Sequence, residues 1–516
     1  MGSKRLFGLV IAAAGGSVLA QGCPKAPPAP LSPPGHLVVM HTNDLHGHYL
    51  PDHADWLPGS PEVGGFVRIE QEVRAIRAQA GHANTLLLDA GDILTGTPLT
   101  AMKEEGAWGT PMLRFMEALG YDGWVIGNHE FDRGLSNLGV LVAKSPITVL
   151  SANLRAPGGS KPLFPTQSYS RIYTVNNLRV GVIGGTTDQL RGLVSPADWA
   201  LMSTVSVAEA IRAEVALLDP QTDLLIALTH IGVEGDRKLA AAVPGIDLIV
   251  GGHSHTPLTE AVKQGDTLIV QAGSYGRSLG VVELVVENDA VASFQYQLRD
   301  LTMDSATAPP DASLQGLAAH YKTNIDTLYG ELITKAPVTL DKEYAHECAL
   351  GRWIADALRV QARVDLGIYN GGGLRAELRA GPITRRELFE SFPFENPVHL
   401  LDITGSQLVG IILRNIAADA GGKQGFLSLS GVSWTWRERN GAPEVVSLTV
   451  GAQPVDLGRS YRAATTSYIV EQWGKHLGFE PASTQLLGQN DFEVAVAHAR
   501  EHGVIDKGER RGVRVE

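Results

Sequence analysis

Five apolar runs in this sequence each end in side chains that can bind a metal ion. Residues 37–40 lead into His41-Thr42-Asn43-Asp44-Leu45-His46-Gly47-His48, and residues 85–88 into Asp89-Ala90-Gly91-Asp92. Residues 124–126 lead into Gly127-Asn128-His129-Glu130-Phe131-Asp132, residues 224–228 into Thr229-His230, and residues 246–250 into Gly251-Gly252-His253-Ser254-His255. Carboxylate, amide and imidazole donors suit Mn, Fe, Co or Zn. A carboxylate that bridges two such ions holds them roughly 3.5–4 Å apart, an arrangement that activates water and clamps an in-line displacement at phosphorus. A lone His or Asp on a loop is ordinarily just solvated, but recurrence of the same ending within one region points to convergence on a single site. The adjoining glycines permit tight turns and close backbone approach.

Convergence needs a scaffold. Leu37-Val38-Val39-Met40 and Leu224-Leu225-Ile226-Ala227-Leu228 are apolar at consecutive positions, the mark of strands buried on both faces. Helical patterns lie between such runs, over residues 65–80 and 207–218. In α/β sheets ligands bind beyond the carboxyl ends of the strands, where these polar residues fall. A polar, Pro-containing stretch over residues 302–313 marks a boundary. A predicted helix follows over 314–328, and a second α/β region runs from 333. The expected organisation is a signal peptide over 1–22, a Pro-rich tether over 23–35, a first domain over 36–301, a linker and helix over 302–332, and a second domain over 333–516.

With 516 residues, 44% of them hydrophobic, the chain can bury large cores, and at roughly 150 residues per domain it makes two or three domains. The only cysteines are Cys23 and Cys348, which excludes a disulfide framework and a Cys-based zinc site. Cys348 is expected to be a buried packing residue. The net charge of −12 argues against a nucleic acid polymer as partner. A small phosphorylated substrate needs only a local positive site. Lys4 and Arg5 precede an apolar stretch over 6–20 that is short for a membrane-spanning helix. It ends in Ala20-Gln21-Gly22-Cys23 and resembles a bacterial lipoprotein signal, with Cys23 as the lipidated residue; a plain cleaved secretory signal is the alternative. The Pro-rich tract that follows reads as an extended spacer. The expected location is the periplasm or cell envelope, with the membrane reached through the lipid anchor alone.

Taken in order, Asp-x-His, Gly-Asp, Gly-Asn-His-Glu, a lone His and Gly-His-x-His resemble the calcineurin-like metallophosphoesterases. Thr42-Asn43-Asp44-Leu45-His46-Gly47, Gly91-Asp92 with Gly96-Thr97, and Gly127-Asn128-His129-Glu130-Phe131-Asp132 are similar to the 5′-nucleotidase branch. The resemblance implies an α/β/β/α sandwich followed by a C-terminal α/β 5′-nucleotidase domain. It implies two divalent ions (Mn, Zn, Co or Fe), one held by Asp44, His46, Asp92 and His255, the other by Asp92, Asn128, His230 and His253. Asn128, His129 and Asp132 take catalytic positions, with His129 stabilising the phosphoryl transition state and Asp132 orienting it, and a metal-activated water is the attacking group. His41 and His48 flank the first motif and are read as supporting residues rather than ligands.

In the second domain, Tyr369-Asn370-Gly371-Gly372-Gly373-Leu374-Arg375 is similar to a motif of the 5′-nucleotidase C-terminal domain, and Phe392-Pro393-Phe394-Glu395-Asn396 and Leu401-Asp402-Ile403-Thr404-Gly405 to its further motifs. The resemblance gives Arg375 the substrate phosphate, a task that suits a planar, always-charged guanidinium. Gly372 and Gly373 would allow close backbone approach, and Arg379 and Arg414 are weaker candidates for the same anion. It also implies a nucleobase held between two aromatic rings, Phe426 and Tyr468. The family's Gly-Gly-Asp-Gly turn is absent after Tyr468, where Ile469-Val470-Glu471-Gln472-Trp473-Gly474 stands, so ribose recognition is left open. The expected activity is hydrolysis of nucleoside 5′-monophosphates, in a cleft between two domains that hinge. A cyclic-nucleotide or nucleotide-sugar phosphodiesterase, a relative acting on a sulfur-containing ester, and a non-catalytic surface binding protein are the alternatives.

Overall fold

The computed structural model describes residues 35–54, 57–302, 309–421, 426–504 and 510–515. The expected signal peptide and Cys23 lie outside them. The first domain is two six-stranded sheets packed face to face with helices on both outer sides. The first sheet contains β1 (Gly35–Thr42), β2 (Thr85–Asp89), β3 (Gly123–Val125) and β4 (Thr148–Leu150), which run parallel in that order. The second has the parallel run β5 (Leu178–Thr186), β6 (Leu224–His230), β7 (Leu248–Gly251) and β8 (Thr267–Val270). Antiparallel strands close one edge of the first sheet and both edges of the second.

The consecutive apolar residues have a simple cause. Side chains alternate across a strand, and here each face meets a core. Leu37, Val39, Leu86, Leu88, Leu224, Ile226 and Leu228 fill the layer between the sheets. Met40 and Leu87 point the other way, against α1 (Phe66–Ala80) and α2 (Thr110–Leu119). Leu225 and Ala227 do the same against α3 (Val207–Leu218) and α4 (Val233–Ala242).

Helix α5 (Ala312–Tyr329) joins the domains. Its Leu314, Ala318, Tyr321 and Ile325 are buried with α1 and α2, while Tyr329 at its end packs on Phe389 and Phe492 of the second domain. The second domain is built on a five-stranded sheet around the strand Leu366–Asn370. Helices α6 (Ala349–Ala362), α7 (Arg385–Ser391) and α8 (Asp491–His502) cover one face, and the helix Gly405–Gly421 covers the other. Cys348 is buried and caps α6, its Sγ accepting from Gly351 N at 3.4 Å. Thr384 and Glu387 form a reciprocal capping box that fixes where α7 begins. Among the described residues no helix is long and apolar enough to cross a membrane.

Candidate active site

Ligand-type residues follow the carboxyl ends of β1, β2, β3, β6 and β7, so strands from both sheets feed one point at one edge of the sandwich. The loops that carry them are tight. Asp44, His46, Asp92, His253 and His255 all have positive φ, between 48° and 81°. Left-handed backbone is costly for such residues and persists where the surroundings enforce it, commonly at functional sites. Two glycines show how close the loops come. A Cβ on Gly127 would lie 2.2 Å from Asp92 Oδ1, and one on Gly96 would lie 2.3 Å from the His46 carbonyl.

Three triads have donor atoms mutually within 4.8 Å: Asp44, His46 and His255; Asp92, His230 and His253; and His46, Asp92 and His129. Asp44 Oδ1 is 3.2 Å from His255 Nε2, and Asp92 Oδ2 is 3.0 Å from His230 Nε2. Asp92 Oδ2 is also 3.9 Å from both His46 Nε2 and His129 Nε2, which puts this one carboxylate oxygen at the centre. Backbone carbonyls set the ring tautomers. His46 Nδ1 donates to the Leu94 and Thr95 carbonyls at 2.9 and 2.7 Å, and His230 Nδ1 to Ala90 at 2.7 Å, so both Nε2 atoms are left to face the cluster.

The donor set fits two divalent ions. Asn128 Oδ1 is buried without a hydrogen-bond partner, although buried polar atoms normally have one. It belongs to the expected second ligand set, where a cation would satisfy it. The electrostatics agree. Burial alone would raise Asp44 and Asp92, but the surrounding imidazoles outweigh it, and both lie below the usual carboxylate value, Asp92 well below. Burial would lower His230, yet Asp92 beside it pushes it up to about 10. The two carboxylates thus hold a field that favours positive charge. His253, half-buried and beside His230, falls to about 4 through desolvation and the neighbouring imidazole.

His129 Nδ1 lies 2.7 Å from Asp132 Oδ2, and Thr95 Oγ1 donates to the same oxygen at 2.7 Å. Burial lowers His129, but Asp132 and Asp92 outweigh this and raise it. From the second domain, Arg375 Nη2 reaches His46 Nε2 at 3.3 Å. The Arg375 backbone is tied to the end of α7 through Ser391, and the Phe394 ring packs 5.7 Å from that of His129. Further contacts join the two domains: Arg133 pairs with Glu395 at 2.7 Å, and Gln472 donates to the Val194 carbonyl at 3.2 Å.

The other predicted residues are placed less uniformly. Gly372 and Gly373 form the single turn that precedes Arg375. Arg379 and Arg414 are exposed. Phe426 is buried; its carbonyl accepts from Gly371 N at 3.1 Å, and it lines a cavity of about 280 Å³ with Trp434, Trp436 and His346. Tyr468 packs on His476, its hydroxyl 3.4 Å from the Gly192 carbonyl across the cleft. Among the described residues no ring contact joins Phe426 to Tyr468. His41 is buried with both ring nitrogens unpartnered and lies against Gly280 and Tyr296, while His48 stacks on Tyr275 at 4.3 Å.

Tyr275 is a residue that motif reading passed over. Its ring meets His46 and His255 edge-on at 5.7 and 5.6 Å. It follows β8, a sixth apolar run ending in Gln271-Ala272-Gly273, which has a turn glycine but no carboxylate or imidazole. Asn43 clamps that turn, donating to the Gly273 carbonyl at 2.5 Å and accepting from Ala272 N at 2.8 Å.

Comparison with known proteins agrees with this geometry. Residues 37–257 match the calcineurin-like phosphoesterase family and residues 319–480 the 5′-nucleotidase C-terminal domain. The chain is 28% identical over 517 residues to the trifunctional nucleotide phosphoesterase protein YfkN of Bacillus subtilis; this covers 90% of the chain but only 34% of that longer protein. It is 28% identical to the 5′-nucleotidase of Bos taurus, covering 86% of the chain and 84% of the relative. The structure of a 5′-nucleotidase precursor from Thermus thermophilus superposes with a TM-score of 0.82 at 27% identity, over 93% of this chain and 99% of that one.

Proposed function

Since the chain belongs to the calcineurin-like metallophosphoesterases that carry a 5′-nucleotidase C-terminal domain, we propose that it hydrolyses nucleoside 5′-monophosphates to nucleoside and phosphate. One observation carries this reading: Arg375, from the second domain, stands 3.3 Å from His46 in a cluster where Asp92 is shared between triads. A phosphate held by Arg375 therefore lies against the metal-binding edge of the sandwich.

Two divalent ions at such a site lower the pKa of bound water and neutralise charge on phosphoryl oxygens. Asp44, His46, Asp92 and His255 would hold one, and Asp92, Asn128, His230 and His253 the other. The remaining chemistry belongs to this chain's own residues. Arg375 offers a planar fork that matches two phosphoryl oxygens. His129, favoured as the imidazolium by Asp132 and Asp92, turns Nε2–H toward the cluster and donates a hydrogen bond there as negative charge grows in the transition state. Asp132 keeps its proton on Nδ1, and Thr95 keeps Asp132 in place. Phe426, whose carbonyl accepts from Gly371 N in the loop that leads to Arg375, borders a cavity with room for a nucleobase. The basic, apolar and Cys23-terminated N-terminal stretch supports export and lipid anchoring.

Phosphate release from AMP with added Mn²⁺ tests the reading. Wild type should turn over and hold two ions per chain, and Asp92→Ala should lose both properties, because one carboxylate serves both ions. Full metal content and near-normal turnover in Asp92→Ala would overturn the assignment.

A further inference from the structure

Glu130 sits within the Gly-Asn-His-Glu motif and is fully buried beside the metal-binding cluster. Its carboxylate is enclosed by backbone. Oε2 accepts from Gly127 N at 2.6 Å and Asp92 N at 3.1 Å; Oε1 accepts from Ile93 N at 2.9 Å and Leu94 N at 3.2 Å. A carboxylate has about four lone-pair sites, and four N–H groups fill them. Three of those donors are consecutive, the concave backbone geometry that cradles oxygen acceptors. Here the carboxylate comes from the protein itself.

The two segments so joined carry different parts of the site. Residues 92–94 bring Asp92; residues 127–130 bring Asn128 and His129. Asp92 Oδ1 in turn accepts from His129 N at 2.8 Å, which leaves Oδ2 turned to His230, His46 and the His129 ring. Glu130 fixes the backbone of Asp92, and His129 N fixes the rotation of its carboxylate.

We infer that Glu130 is a positioning residue that locks the loop after β2 to the loop after β3, so that the shared carboxylate of Asp92, the Asn128 amide and the His129 imidazole act as one rigid unit. It touches neither substrate nor metal. The inference rests on the two-metal reading of the site, and its test is separable from that reading.

The test is Glu130→Gln, which keeps the shape but replaces one acceptor oxygen with an NH₂ group facing backbone N–H donors. Mn²⁺ affinity should weaken by roughly ten- to a hundredfold, as for other groups that orient metal ligands. The kcat for AMP should fall at saturating Mn²⁺, while KM changes less than threefold. A residue that merely fills the core would lower the melting temperature and leave Mn²⁺ affinity and kcat of the folded protein alone. That result in Glu130→Gln would overturn the inference. Should Glu130→Gln yield no folded protein, Glu130→Asp carries the same test, since it keeps the charge but withdraws it by one methylene. Wild-type protein that binds no Mn²⁺ would defeat the two-metal reading itself, a different outcome from wild-type binding with an unaffected variant.

Discussion

Replacing Asp132 with Asn removes a charge from the His129 pair and changes little else in shape. Asp132 Oδ2 lies 2.7 Å from His129 Nδ1 and takes the Thr95 hydroxyl at 2.7 Å, and both side chains of the pair are only about 15% exposed. Hydrogen bonds to a charged partner contribute roughly 1.5–3 kcal/mol. The contribution is greatest when the imidazole carries positive charge, which is when it faces the transition state. At about 1.4 kcal/mol per factor of ten, kcat for AMP should fall roughly 10- to 100-fold. Asp132 is outside both proposed ligand sets, so metal content should stay at two ions per chain. KM should move less than threefold, the pattern of an interaction made mainly in the transition state. Steady-state phosphate release, read beside elemental analysis of the same samples, decides it. A kcat within twofold of wild type at full metal content would refute the dyad. Loss of metal would show that Asp132 holds the ligand cluster together instead.

Other outcomes follow from the same geometry. Arg375→Ala should lower kcat/KM for AMP by roughly 10- to 100-fold, the loss of a charge-assisted contact, and should leave metal content unchanged; an unaltered kcat/KM would remove Arg375 from the substrate. Asp491 is fully buried beneath the Tyr369 hydroxyl, and burial pushes it up to about 7 from an ordinary 3.8. Its stabilising contribution is therefore complete below about pH 4 and is lost as pH rises through about 7, a change of roughly 4 kcal/mol. Asp491→Asn should lose less stability than wild type between pH 4.5 and 7.5 in urea unfolding; parallel losses in the two proteins would contradict the assignment.

Much of the scaffold was legible because both faces of each central strand are buried. Leu86 and Leu88 enter the layer between the sheets and Leu87 the helical layer, so the run is apolar at every position and its end is unmistakable. Local chemistry marked the glycine turn before Arg375 in the same way. What stayed hidden depends on contacts between distant segments. Asn43 and Gly273 are separated by 230 positions, and no local pattern announces that a tyrosine beyond that turn will stand against His46. Glu130 was visible as a letter of a motif, but its side chain turns back onto its own loop and onto the segment after β2. Periodicity cannot show that direction. Phe426 and Tyr468 were matched by position to a pair of rings. The structure instead gives each its own surroundings, a tryptophan-lined cavity for one and the domain boundary for the other.

The most direct test of the central claim is the ratio of kcat/KM for AMP to that for bis-p-nitrophenyl phosphate, with Mn²⁺ present. On the proposed reading both substrates would draw on the same metal-binding cluster, but only AMP would present a terminal phosphate for Arg375 together with a nucleoside for the second domain. A strong preference for AMP is the result this account predicts. Turnover of the diester alone would leave the metal site standing and contradict the nucleotidase assignment.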